Sequence, residues 1–160
     1  MSRYLDSKFA SLAPYVPGEQ PKDREYIKLN ANESPYPPSP AVLEALRTSE
    51  AAALNLYPDA ACRELSSLIA AQFGLGEGNV LLANGSDDIL NFCFLAFCEK
   101  GVVFPDISYG FYEVFADLYH IDALRPKMGE GLTIDPRDYT GTGRCVVIAN
   151  PNAQTGVALP

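Results

Sequence analysis

This sequence has little of what several classes of functional site require. It contains one histidine, His120, so a histidine-rich metal centre is excluded. Its four cysteines show no paired metal-ligand spacing. Because all four lie in apolar stretches, we expect them to be buried thiols in a reducing compartment. They are Cys62, Cys93, Cys98 and Cys145.

Basic residues and long apolar runs are also scarce. The chain of 160 residues has 12 Lys and Arg against 20 Asp and Glu, a formal net charge of −8, and no basic block. A nucleic-acid or anionic-membrane surface is therefore not expected. The N-terminal residues contain no apolar core of signal-peptide length, and no run approaches the length of a membrane span. We expect a cytoplasmic protein.

Apolar content of 48% and the pattern of short runs predict the fold class. Continuous apolar runs at 80–83, 102–104 and 145–149 predict strands, as does the largely apolar run at 121–124. Helical patterns lie between them at 86–98 and 108–119, and two earlier helices begin at Ser39 and just before Leu65. Such alternation is typical of an α/β fold with a mainly parallel sheet. Because helix 86–98 is apolar nearly all round, we expect it to be buried on most sides.

The first part of the chain is organised differently. Residues 1–38 are rich in proline and form an arm, with one short helix expected near 6–12 and one strand at 26–30. The arm carries enough apolar residues to indicate that it packs on something, such as a second subunit. Residues 39–58 would link this arm to 59–160, the first part of a larger domain.

Residues 80–88 combine a predicted strand, a tight turn and a helix start. Gly85 lets the chain turn sharply, and Ser86 is expected to cap the helix with its hydroxyl. The unpaired N–H groups of the first helical turn, at Ser86 and Asp87, form a ready site for a phosphate. A plain capped βα turn with no ligand explains the same residues.

Polar and aromatic groups follow two other predicted strands. Tyr109 comes soon after 102–104, and Asn152 follows 145–149. Ligands of parallel α/β sheets bind outside the carboxyl ends of the strands. A phosphate site, an aromatic face and an amide donor together suit a planar phosphorylated ligand.

Six segments of the chain match a known family, in its order and with plausible spacing. The sequence resembles the N-terminal part of the fold-type-I pyridoxal-phosphate-dependent aminotransferases, and most closely their histidinol-phosphate branch. The segments are PYVPGEQP at 14–21, IKLNANESPYPPSP at 27–40, LYPD at 56–59, LLANGSDDIL at 81–90, PDISYGFY at 105–112 and IANPNAQTG at 148–156.

The resemblance implies a role for each candidate residue. Backbone amides at Ser86 and Asp87 would hold the phosphate of pyridoxal 5'-phosphate, Gly85 would belong to the same cofactor-binding turn, and Tyr109 would stack on the ring. Tyr57 would reach the cofactor phosphate of a neighbouring subunit. The family asparagine that donates to the cofactor aligns with Ala153, so Asn152 either takes that role or the role is missing.

The implied fold is the first part of the three-layer αβα, aspartate aminotransferase-like transferase fold. The implied whole protein is a homodimer that moves an amino group between histidinol phosphate and 2-oxoglutarate in histidine biosynthesis. No lysine of the chain follows the IANPNAQTG segment, so the cofactor-binding lysine is missing and no catalytic residue is assigned. We expect a fragment that is inactive alone. A non-catalytic cofactor-binding or oligomerisation module, an aromatic aminotransferase and a pyridoxal-phosphate decarboxylase are the alternatives.

Overall fold

The computed structural model describes residues 9, 19, 21, 23–48 and 55–160. The described residues belong to two compact units, one within Pro14–Leu81 and the other comprising Phe9 and Leu82–Pro160. The helix expected near 6–12 lies, Phe9 apart, outside the described residues. The boundaries predicted at residues 38 and 58 concern the whole protein and remain predictions.

The first unit contains the two early helices, as predicted. Helix α1 spans Pro40–Thr48 and begins where Ser39 accepts a hydrogen bond at its hydroxyl from the Val42 amide, over 3.4 Å. Helix α2 spans Arg63–Gln72. Gly74 follows its C-terminal end with a φ of 66°, which is easily adopted only by glycine, and the Leu75 amide then donates to the Ala70 carbonyl.

The strand expected at 26–30 does not form. This stretch has no regular structure, and its Ile27 and Leu29 side chains are exposed, as is Tyr36 further along the arm. An extended segment becomes a strand only when a second backbone pairs with it. Within the described residues no such strand lies beside the arm. Its burial against a partner remains a prediction.

The second unit contains a small parallel sheet with helices between its strands. Helix α3 spans Ser86–Phe97, strand β1 Val102–Val103, helix α4 Phe111–Leu118, strand β2 Ala123–Leu124 and strand β3 Cys145–Val146. Short 3-10 turns cover Glu77–Asn79 in the first unit, and Glu130–Leu132 and Pro136–Asp138 in the second. The strand order is β2-β1-β3, with both pairs parallel. The predicted α/β organisation is confirmed for this unit.

Strand β1 is the centre of the sheet. Val102 pairs with Ala123 on one side and with Cys145 on the other. Hydrogen bonds continue past the strand itself, since the Phe104 amide donates to the Leu124 carbonyl and the Asp106 amide to the Pro126 carbonyl. All three strands run in the same direction, so their carboxyl ends meet at one edge.

An aromatic core packs against β1. The Phe94 ring of α3 lies 6.0 Å from the Tyr112 ring and 5.6 Å from the Phe115 ring, both of α4. Tyr112 also contacts Phe104 edge-on at 5.6 Å. Tyr112 is therefore a packing residue. Helix α4 begins at Phe111 rather than at Ser108, because 108–110 form the turn that leads into it.

The expected burial of α3 is wrong for this chain. Phe94 is buried, but Phe92, Leu95 and Phe97 are exposed on the same helix. Aromatic periodicity shows that a helix has apolar faces, but it does not show which of them the chain itself covers.

Within the described ranges, no helix is both long and apolar enough to cross a bilayer.

The cysteine prediction is correct for one side chain of four. Cys98 is buried, Cys93 and Cys145 are half-buried, and Cys62 is exposed where the chain enters α2. All four thiols are free. Burial raises the pKa of Cys98 to about 12, with the neighbouring Cys145 thiol contributing. The Cys98 thiol is therefore unreactive at neutral pH.

The core of the second unit makes the first testable prediction. Phe94→Ala should lower the free energy of unfolding of this chain by about 3–5 kcal/mol, because it leaves a cavity between α3 and α4. Leu95→Ala, at a side chain that is 63% exposed, is the matched control. It should cost less than about 1 kcal/mol in urea denaturation. Equal losses in the two variants would show that the outer face of α3 is buried.

Candidate functional site

The turn before α3 is built around Gly85. Gly85 is the residue that precedes the helix, with φ 94° and ψ 169°, a conformation essentially restricted to glycine. Its amide donates to the Ala83 carbonyl over 2.9 Å. The strand expected at 80–83 does not form, although Val80 is extended, because no strand of the described chain pairs with it.

The expected cap by Ser86 is wrong. Ser86 is the first residue of α3, one position too late to cap it, and no side chain accepts a hydrogen bond at this helix start. The leading amides of a helix have no partner inside the helix. Those of Ser86 and Asp87 are therefore left for a ligand or for water. Nothing lies within 4 Å of where a Gly85 side chain would begin, so the approach is open.

Tyr109 lies beside this helix start. Its hydroxyl donates to the Asp87 carboxylate, 2.9 Å from Oδ1 and 3.2 Å from Oδ2. Its ring stacks on Phe111 at 5.5 Å and meets Tyr112 edge-on at 5.9 Å. The structure thus brings Gly85, Ser86, Asp87 and Tyr109 together at the carboxyl edge of the sheet.

Asn152 lies in the turn that follows β3 and is 4% exposed. Its side-chain Nδ2 donates to the Ile107 carbonyl over 2.8 Å, and its Oδ1 accepts from the Gln154 amide over 3.1 Å. Its backbone amide donates to the Val157 carbonyl over 2.9 Å. The side chain therefore connects the segment after β3 to the segment after β1.

Asp106, which was not among the residues predicted for the site, holds the segment after β1 at a second point. Asp106 accepts at Oδ1 from the Met128 amide over 3.0 Å and forms a 3.0 Å ion pair with Lys127. The Met128 hydrogen bond, and then Lys127, lower the pKa of the Asp106 carboxyl below its usual value. The sequence signal for this role of Asp106 is a carboxylate that comes directly after a buried strand and a proline.

Tyr57 belongs to the first unit, where its side chain is fully exposed. The LYPD segment around it is ordered by Asp59, which accepts hydrogen bonds from the Ala61 and Arg63 amides. These bonds, first that from Arg63, lower the pKa of Asp59.

Among the described residues, no group of three or more histidine, cysteine or acidic side chains is arranged to hold a metal ion.

Comparison with known proteins identifies the family. The family model for aminotransferase class I and II matches residues 24–160. The chain belongs to this family. Two solved structures share the fold. One is a candidate histidinol-phosphate aminotransferase from Erwinia carotovora atroseptica, with a TM-score of 0.73 and 26% identity over 82% of this chain and 40% of that one.

The second is a candidate aminotransferase from Burkholderia pseudomallei, with a TM-score of 0.67 and 27% identity over 81% of this chain and 41% of that one. The small parallel sheet with its helices is thus the N-terminal part of the α/β pyridoxal-phosphate transferase fold.

Curated relatives at higher identity are named histidinol-phosphate aminotransferases. That of Clostridium beijerinckii is 49% identical over 158 residues, which are 98% of this chain and 44% of the relative. That of Brachyspira hyodysenteriae is 45% identical over 99% of this chain and 46% of the relative. This aminotransferase-family chain therefore spans a little under half the length of the curated relatives it matches.

The contacts of Asp106 predict a pH dependence of stability. Because its pKa is lowered in the folded chain, the charged form contributes stability above the unfolded pKa of about 3.9, and this is lost as the pH falls through the folded pKa. Asp106→Asn should therefore melt below the wild type at pH 7, and the gap should close below about pH 4. Thermal melts across this range measure it, with Asp117→Asn on α4 as the control. A gap that persists unchanged in acid would contradict the prediction.

Proposed function

We propose that the whole protein is a pyridoxal-phosphate-dependent aminotransferase that acts on histidinol phosphate and 2-oxoglutarate in histidine biosynthesis. The observation that carries the proposal is the open, uncapped start of α3 next to Tyr109. Relatives named for this activity at 45–49% identity support the choice of substrate. Glutamate and the corresponding keto phosphate would be the products.

The residues of the candidate site fit a ligand that combines a phosphate with a planar ring. The Ser86 and Asp87 amides at the start of α3 favour an anion, and Gly85 leaves its approach open. The carboxylates of Asp87 and Asp88 oppose an anion, but that of Asp87 already accepts from the Tyr109 hydroxyl. We therefore assign phosphate binding to the amides of Ser86 and Asp87, the turn that presents them to Gly85, and ring binding to Tyr109.

The cofactor would supply the electron sink that makes the substrate Cα–H bond acidic. An amine is needed to take up the Cα proton, and we assign this role to none of the described lysines. Lys28 forms a 2.5 Å ion pair with Glu33, and Lys127 is paired with Asp106. Lys100 precedes β1 and is at the opposite edge of the sheet from the candidate site. We propose that the amine that takes up the Cα proton lies in the rest of the protein. The groups that bind the cofactor nitrogen and the substrate carboxylate would lie there too.

We further propose a cytoplasmic homodimer. The exposed apolar side chains of the arm and of α1 are the kind of surface that a second subunit covers. The fully exposed Tyr57 is assigned to the cofactor phosphate of that subunit. Four free thiols suit a reducing compartment. Residues 1–38 would be the arm, 39–58 the link and 59–160 the first part of the large domain.

Turnover by the full-length protein tests the proposed activity. We expect transfer of the amino group of histidinol phosphate to 2-oxoglutarate, followed as glutamate formed. The 160-residue chain alone should show no turnover, because it lacks the amine. Good turnover with aromatic amino acids and none with histidinol phosphate would overturn the substrate assignment.

Gly85 gives a prediction for cofactor binding. Gly85→Ala should weaken pyridoxal 5'-phosphate binding by about tenfold or more, because strain of roughly 1–3 kcal/mol distorts the turn that presents the amides. Gly78→Ala is the matched control, since Gly78 has open space around it and no left-handed φ. An absorbance titration of the full-length variants gives both affinities. Equal affinities would remove Gly85 from the proposed site.

A further inference from the structure

We propose that Asn152 is a positioning residue that holds Tyr109 against the start of α3 through the backbone of Ile107. The inference deepens the proposed function and rests on it. It differs from a direct contact between the Asn152 amide and the cofactor. The chain of contacts runs from Asn152 to Ile107, along the backbone to Tyr109, and from Tyr109 to Asp87.

Burial and two side-chain hydrogen bonds fix the position of Asn152. Its side chain is almost fully buried, and both of its polar atoms already have protein partners, the Ile107 carbonyl and the Gln154 amide. Its own carbonyl accepts from the Thr155 and Gly156 amides at 3.2 and 2.8 Å. A side chain held in this way has one orientation, and that orientation faces Ile107.

A short stretch of backbone connects Ile107 to Tyr109. Only Ser108 separates them, and the Tyr109 carbonyl accepts from the Tyr112 amide over 3.0 Å where α4 begins. The Ile107 carbonyl is therefore an anchored point two residues before the tyrosine. Asp106 anchors the opposite side of the segment on Met128. Releasing one anchor leaves 107–109 free to shift away from Asp87.

The neighbouring side chains, at Ala153 and Gln154, do not bond to the segment that carries Tyr109. Ala153 has no hydrogen-bonding side chain and is exposed, and the Gln154 side chain is exposed as well. In this turn Asn152 alone has a side chain buried toward the segment that carries Tyr109. Its influence on a ligand therefore passes through Tyr109.

Asn152→Asp in the full-length protein removes the proposed bond. The aspartate keeps the shape and the oxygen that accepts from Gln154, but it cannot donate to the Ile107 carbonyl. Asn150→Asp is the matched control. It makes the same change in charge at an exposed asparagine whose Oδ1 accepts from the Leu159 amide over 2.9 Å, and an aspartate preserves that bond.

Two measurements are made on both variants. We expect faster amide hydrogen exchange in a peptide covering 107–112 for Asn152→Asp, and unchanged exchange for Asn150→Asp. We also expect pyridoxal 5'-phosphate binding, measured by absorbance titration, to weaken about tenfold for Asn152→Asp alone, the usual effect of one lost buried hydrogen bond. Because Asn152 acts through Tyr109, the double variant with Tyr109→Ala should bind no more weakly than Tyr109→Ala.

The outcomes separate this inference from the proposed function. If the wild type does not bind the cofactor, the proposed function fails, and faster exchange at 107–112 in Asn152→Asp still supports the positioning role. Weaker binding with unchanged exchange would show direct contact with the cofactor and overturn the inference. Additive losses in the double variant, or equal behaviour of the two aspartate variants, would overturn it too.

Discussion

The backbone hydrogen bonds that β1 forms with β2 on one side and β3 on the other determine where the candidate site lies. Val102 and Val103 are completely buried, so this strand must be central and needs a neighbour on both sides. Parallel pairing then brings the segments after β1, β2 and β3 to one edge. Asp106, Met128 and Asn152 meet there because of sheet topology, although they are far apart in sequence.

Much of this arrangement was predictable from the sequence. Helices α1, α2 and α3 follow from apolar periodicity and from stop residues such as Gly74, and the strands from short apolar runs. The positions of Gly85, Tyr109 and Asn152 after strands or before a helix were enough to place them at one edge of a parallel sheet. They share this edge because the strands are parallel, which the alternation of strands and helices predicts.

The remaining differences depend on partners that a pattern cannot identify. Val80 is extended but unpaired, because strand formation needs a second backbone as well as β-branched residues. Ser86 lies inside α3 since the left-handed Gly85 takes the preceding position, and a shift of one residue removes a cap. The Asn152 side chain could not be assigned to Ile107 from sequence, since backbone carbonyls carry no residue signature.

The paired anchors of 105–109 also explain how a site on a loop can be rigid. A loop held at one end can rotate about that end, whereas this segment is bonded to Met128 through Asp106 and to Asn152 through Ile107. Tyr109 then forms a third contact, on the Asp87 carboxylate. A ring fixed in this way loses little further freedom when a ligand stacks on it, so less of the binding energy is spent on ordering. The same geometry holds the start of α3 and the aromatic ring together, because Asp87 lies in the first turn of α3 and accepts the hydrogen bond from the Tyr109 hydroxyl.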